Sequence, residues 1–173
     1  MLKYIYALPL RQVAALMLVT IPMWAFAQLR QGRSLRTWQA VNWVLAGITV
    51  LVILTVTVLR RTSGGGQINL IPFSSFLLAR KRVELYRELL MNVLLFFPLG
   101  LSLSSALPRR IPPVRRFVVT VLAGLALSLL VELLQFVFRL GLAEVDDLIT
   151  NSFGTALGAS QLLLSLILQK LKK

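Results

Sequence analysis

Apolar stretches of about 20 residues, each long enough to cross a membrane, constrain this chain more than any other feature. The clearest is 41–59, rich in Val, Ile, Leu and Thr. A run of that length crosses a ~30 Å hydrocarbon core as a helix and is about twice as long as a barrel strand, so its β-branched content does not argue for sheet. Similar stretches lie at 12–29, 88–107, 117–140 and 148–168. Basic residues fill the intervals: Arg30, Arg33 and Arg36, then Arg109, Arg110, Arg115 and Arg116, then Lys170, Lys172 and Lys173. Trp38 and Trp43 flank the start of the second run, as interfacial aromatics do. Hydrophobic residues make up 57% of the chain, against roughly 45–50% in soluble domains. The expected fold is all-α: a polytopic membrane helical bundle of about five transmembrane helices. The net charge of +13 is concentrated between the apolar runs, where topology determinants belong. Membrane lipids with anionic headgroups are therefore the expected counter-charge, and no nucleic acid partner is expected.

One apolar piece is too short to span. After Arg60 and Arg61, the run from Ser63 to Gly66 breaks the helix. It lacks the Gly-Lys-Ser/Thr ending of a phosphate loop and reads as a linker. The segment around 67–79 that follows is expected to be re-entrant or interfacial. Residues 80–88 give the next helix a charged, amphipathic start, with Glu84 and Glu88 four apart. Pro98 and Gly100 weaken the middle of the third span; a packing kink is the favoured reading, a functionally broken helix the other. Gly124 with Ser128, and Gly154 with Gly158, are spaced for close helix approach. In the first run Arg11 and Pro22 interrupt the apolar pattern, so that run is expected to stay as a helix rather than be cleaved.

The chemistry concentrates in 132–158, which holds four of the six acidic residues: Glu132, Glu144, Asp146 and Asp147. Glu132, Gln135 and Arg139 follow an i, i+3, i+7 spacing that a continuous helix would put on one face. Ionisable groups at membrane depth are costly and mark function. With no His and no Cys, the common zinc and haem sites, thiolate chemistry and His-based triads are excluded, and no cofactor or metal is expected. The candidate ligand-binding residues are Asn69, Asn92, Glu132, Gln135, Arg139, Asp146, Asp147 and Asn151. Glu132, Asp146 and Asp147 are the candidates for any catalytic role.

Counted over all loops, nine basic residues on one side face ten on the other, which decides nothing. The last three spans are clearer. The 108–116 loop and the tail carry basic residues and no acid, and the turn between them is acidic, which places the C-terminus inside and the acidic turn outside. The 67–79 segment then shares the outer face with that turn.

The run Asn69, Leu70, Ile71, Pro72 and Phe73 is followed by Asn92, then by Phe96, Phe97, Pro98, Leu99 and Gly100. Glu132, Gln135 and Arg139 come next, then Val145 to Asn151 with Gly154 and Gly158. In this order the motifs resemble those of the VanZ-like family of membrane proteins. The resemblance covers 41–168 and implies three parts: an added N-terminal helix and basic loop at 1–40, a VanZ-like membrane domain at 41–168, and a basic tail at 169–173. Where the family pattern has Asp, this chain has Glu144, which keeps the charge on a longer side chain. The resemblance implies a bacterial cytoplasmic, or inner, membrane location. The family's named member is linked to low-level resistance to the glycopeptide teicoplanin.

Three functions fit these residues. One is an accessory or binding role at the cell envelope, with a lipid-linked cell-wall precursor or a glycopeptide as ligand. The second is a membrane enzyme acting on such a precursor through Asp146, Asp147 and Glu132. Against it, adjacent Asp residues in a helix point about 100° apart. The third is a small transporter, which at this length would have to be a homo-oligomer. A purely structural account stands beside all three, in which Glu132 and Arg139 form a buried ion pair while Asp146 and Asn151 cap the last helix.

Overall fold

A computed structural model describes residues 35–59, 66–79 and 83–164, together with positions 14, 17, 18, 21, 22 and 167. Most of the first apolar run, the basic loop after it, the linker at 60–65, the triad at 80–82 and the basic tail lie outside the described residues. The helices are α1 (Leu35–Leu54), α2 (Ser74–Ala79), α3 (Val83–Ala106), α4 (Pro113–Val137) and α5 (Val145–Ala159). The fold is an all-α bundle. Among the described residues, three helices are long and apolar enough to cross a membrane, over Thr37–Leu59, Leu85–Ala106 and Pro113–Val137. At 1.5 Å per residue, α4 alone is about 37 Å long.

The end of the first described span is wider than an α-helix. Thr55–Leu59 forms a π-helical turn. Thr49, Thr55 and Thr57 each return their hydroxyl to the carbonyl four residues back, at 2.7 to 2.8 Å, a bond that bends helices. Helix α3 runs without a break through Pro98, so the broken-helix reading of that proline is not what the chain adopts. Helix α4 starts with Pro113 at its first position, where the missing N–H costs nothing.

Helix α4 ends earlier than its hydropathy suggests. Arg139 takes a left-handed conformation with φ 53°. Its N–H reaches the Phe136 carbonyl, while that of Leu140 reaches the Gln135 carbonyl. These are the two bonds of a Schellman motif, which closes a helix and turns the chain away.

Two strands of three residues each follow from that turn. Strand β1 (Gln67–Asn69) pairs in parallel with β2 (Leu142–Glu144), matching Gln67 to Leu142, Ile68 to Ala143 and Asn69 to Glu144. Gly66 N–H to the Gly141 carbonyl extends the ladder at 2.9 Å. Parallel strands need a crossover, and here it comprises α2, α3 and α4. The 67–79 segment therefore lies beside the acidic turn. It does not cross the bundle. The turn expected at 141–147 is instead a strand followed by the first turn of α5, with Asp146 and Asp147 inside that turn, where negative charge suits the helix dipole.

Helix α5 is buried more by shape than by hydropathy. A Cβ at Gly154 would overlap the Val93 carbonyl, and one at Gly158 the Phe97 carbonyl, so the α3 and α5 backbones touch. Across α4, Gly124 faces Thr155, and Ser128 Oγ accepts the Asn151 amide at 2.9 Å. The apolar core lies between α1, α3 and α4: Ile53, Val56, Met91, Leu95, Phe96, Leu99 and Val131. Val118, Leu122, Leu125, Leu129 and Leu133 of α4 face outward, as a lipid-facing helix requires.

Candidate functional site

At the end of the bundle where α4 stops and α5 begins, the two strands and α2 form a polar cap. Asp146 anchors it. Its side chain is 1% exposed, and its two oxygens accept the backbone N–H groups of Phe73 at 2.6 Å and Ser75 at 2.7 Å. The residue expected to cap its own helix instead holds the start of α2. The bond to Phe73 also fixes a bulky residue at φ 62°, a conformation that costs a non-glycine residue roughly 1–2 kcal/mol. What Asp146 holds in place is an apolar hook, with Leu70, Ile71, Phe73, Leu77 and Leu78 all exposed. Phe73 and Phe76 pack at a ring distance of 5.8 Å.

Glu144 carries the network onward. Its Oε1 accepts from Asn69 Nδ2 at 3.1 Å and from Ser75 Oγ at 3.3 Å. Asn69 also donates to Ser74 Oγ and accepts the Ile71 N–H, which shapes the turn into the hook. The Glu144 N–H donates to Glu132 Oε2 at 3.0 Å, bringing the buried Glu132 into the same chain of bonds. Asn69, Ser75, Glu132, Glu144 and Asp146 thus form one continuous network drawn from four parts of the sequence.

The other expected residues are placed differently. Asp147 turns to α3, where its Oδ1 accepts from Asn92 Nδ2 at 2.8 Å. The two adjacent aspartates therefore serve different neighbours, as their angular separation on a helix requires. Asn151 lies one turn deeper, on Ser128, and does not cap α5, whose N-cap is Glu144. Gln135 is buried, and its amide donates to the Thr57 carbonyl in the π-helical turn at 3.1 Å. Arg139 departs furthest. It lies beyond the end of α4 and is exposed, with its aliphatic stem against Gly66. The expected single face of Glu132, Gln135 and Arg139 and the buried Glu132–Arg139 pair both require a helix that continues past Val137, and it does not.

Among the described residues no three acidic side chains come together as a metal-ligand group. The arrangement also limits acid–base chemistry at Asp146, because both its oxygens are occupied by backbone donors in a site water barely reaches. The residue the sequence did not single out is Ser75, which bonds to both Asp146 and Glu144. Nothing in the string around it marks that role, since its importance comes from the Cα pairing of Asn69 with Glu144.

The fold and its cap define an α-helical membrane protein with a hydrogen-bonded polar end. The comparisons with known proteins agree. The VanZ/LLP1 family model matches residues 13–168, and the chain belongs to that family. It is 34% identical over 91 residues to Protein VanZ of Enterococcus faecium, a match covering 53% of this chain and 49% of that protein. The chain thus aligns with about half the length of that relative. No solved structure matches it.

Proposed function

We propose that this protein is an accessory binding protein of the bacterial cell envelope, acting through the polar cap on the extracytoplasmic side of the cytoplasmic membrane. The reading links it to glycopeptide resistance, teicoplanin in particular, or to envelope homeostasis. The observation that carries it is the use made of Asp146. A buried carboxylate with both oxygens on backbone N–H groups positions an exposed apolar hook beside Asn69 and Glu144. That juxtaposition suits an amphiphile with an apolar tail and a polar head, such as a lipid-linked cell-wall precursor, or a glycopeptide at the membrane surface. The glycopeptide connection itself rests on family membership. In an enzyme the acidic groups would converge on one substrate atom, whereas here Asp146 and Asp147 face different elements.

The test has two arms. In a strain where deletion of the gene changes teicoplanin susceptibility, Glu132→Gln and Asp147→Asn are expected to insert normally and to lose the phenotype. Wild-type behaviour of both variants overturns the site. In the second arm, purified protein is incubated with lipid-linked precursor. Saturable binding without turnover supports the accessory role, and product formation replaces it with the enzyme.

A further inference from the structure

The opposite end of the bundle, away from the cap, is rich in arginine. There α3 ends at Ala106 and α4 begins at Pro113, and the turn between them holds Arg109 and Arg110, with Arg115 and Arg116 following in α4. Arg109, Arg110 and Arg115 are exposed, but Arg116 is only 8% exposed. One of its terminal nitrogens donates to the Ser104 carbonyl. Its Nε is buried without a partner, and Arg109 acts on it as a like charge. The carboxylates of Glu132, Glu144, Asp146 and Asp147 lie at the other end of the bundle.

The start of α4 has an electrostatic need of its own. Its N-cap is Pro112, which offers no side-chain acceptor, and its first turn contains no acid. Pro113 has no N–H and Arg116 N–H bonds to the Pro112 carbonyl, so the N–H groups of Val114 and Arg115 are the first-turn donors that no helical bond can use. The positive end of a long helix and four arginines fall within the segment 109–116. The Ser104 carbonyl, near the end of α3, offsets part of that charge. A buried guanidinium with an unpaired donor still calls for an anion.

We propose that the turn between α3 and α4 binds a phosphate group, held by Arg116 and Arg109 together with the first-turn N–H groups of α4. Phosphate fits because the planar guanidinium fork matches its oxygens and a helix N-terminus presents N–H groups to it. The site lies where the segments Leu85–Ala106 and Pro113–Val137 leave the apolar layer, the depth of lipid headgroups. The phosphate of an anionic lipid and inorganic phosphate share this chemistry, and the experiment distinguishes them.

Full-length protein is purified in a neutral detergent and titrated with phosphatidylglycerol, phosphatidylcholine or inorganic phosphate, reading lipid retention by native mass spectrometry and the thermal midpoint. Phosphatidylglycerol is expected to be retained at one per chain and to raise the midpoint, with phosphatidylcholine, whose choline meets the arginines as a like charge, doing both more weakly. Arg109→Gln, at an exposed position, is expected to weaken retention roughly tenfold. Arg116→Lys keeps the charge but loses the fork and should weaken it as well. Arg139→Gln, an exposed arginine at the far end, should leave it unchanged. If inorganic phosphate alone gives the stabilisation, the site is supported with free phosphate as its occupant. If none of the three additives is retained or stabilises the protein, or Arg109→Gln binds as wild type, the site does not exist and Arg116 serves only to close the end of α3.

Discussion

Asp146 and Asp147 differ by one position and face different elements, Asp146 the start of α2 and Asp147 helix α3. Asp146 has both oxygens on backbone donors in a buried setting. Its removal strands two N–H groups and releases the hook, so Asp146→Ala is expected to cost about 3 kcal/mol, the value of two hydrogen bonds to a charged group. A fall in the thermal midpoint and faster proteolysis at residues 70–78 would report it. Asp147 accepts the Asn92 amide through Oδ1, and an asparagine carbonyl can accept the same bond. Asp147→Asn should therefore keep that bond and cost less than Asp146→Ala while losing the envelope phenotype. Equal destabilisation by the two variants would refute this division of roles. Both residues were visible in the sequence as an acidic pair. Which of them is structural was not, because that depends on Phe73 and Ser75, more than 70 positions away.

At the scale of elements, shape rather than hydropathy seats α5 in the bundle. Gly154 and Gly158 leave no room for a side chain against the α3 backbone, so Gly158→Leu is expected to force α3 and α5 apart, with a loss of about 3 kcal/mol or failure to fold. Gly47 in α1 has nothing within 4 Å of a would-be Cβ, and Gly47→Ala should raise stability by up to about 1 kcal/mol. Thermal unfolding of the two variants in one detergent checks both signs. The same contrast explains what the sequence could reveal. Long apolar runs mark α1, α3 and α4 because lipid selects on composition, and the spacing of Gly154 and Gly158 points to close packing. The strand pair, the π-helical turn and the end of α4 left no such trace. Three-residue strands are too short for an alternating pattern. The Schellman turn places Arg139, rather than the nearby Gly141, at its left-handed position, so the periodicity of Glu132, Gln135 and Arg139 runs across a helix end that the sequence does not announce.

Among the described residues of the whole molecule, acidic and basic side chains are unevenly spread along the bundle. Glu132, Glu144, Asp146 and Asp147 gather at the cap, and Arg109, Arg110, Arg115 and Arg116 at the opposite end. In a bacterial membrane that asymmetry would place the arginine turn in the cytoplasm and the cap outside. The chain has no cysteine, so single introduced thiols can report each end without background. Ile71→Cys, on the exposed hook, should react with a membrane-impermeant maleimide in intact cells. Arg110→Cys should react only after permeabilisation. The pair Gln67→Cys and Leu142→Cys, Cα partners in the ladder, should form a disulfide on mild oxidation, since paired strand positions fall within the Cα separation a disulfide tolerates. A disulfide together with labelling of Ile71→Cys only after permeabilisation would keep the fold and invert the protein, moving the proposed binding cap to the cytoplasm. Absence of the disulfide in a well-folded variant would be graver. It would separate the hook from the acidic turn, and Asp146 would have nothing to hold.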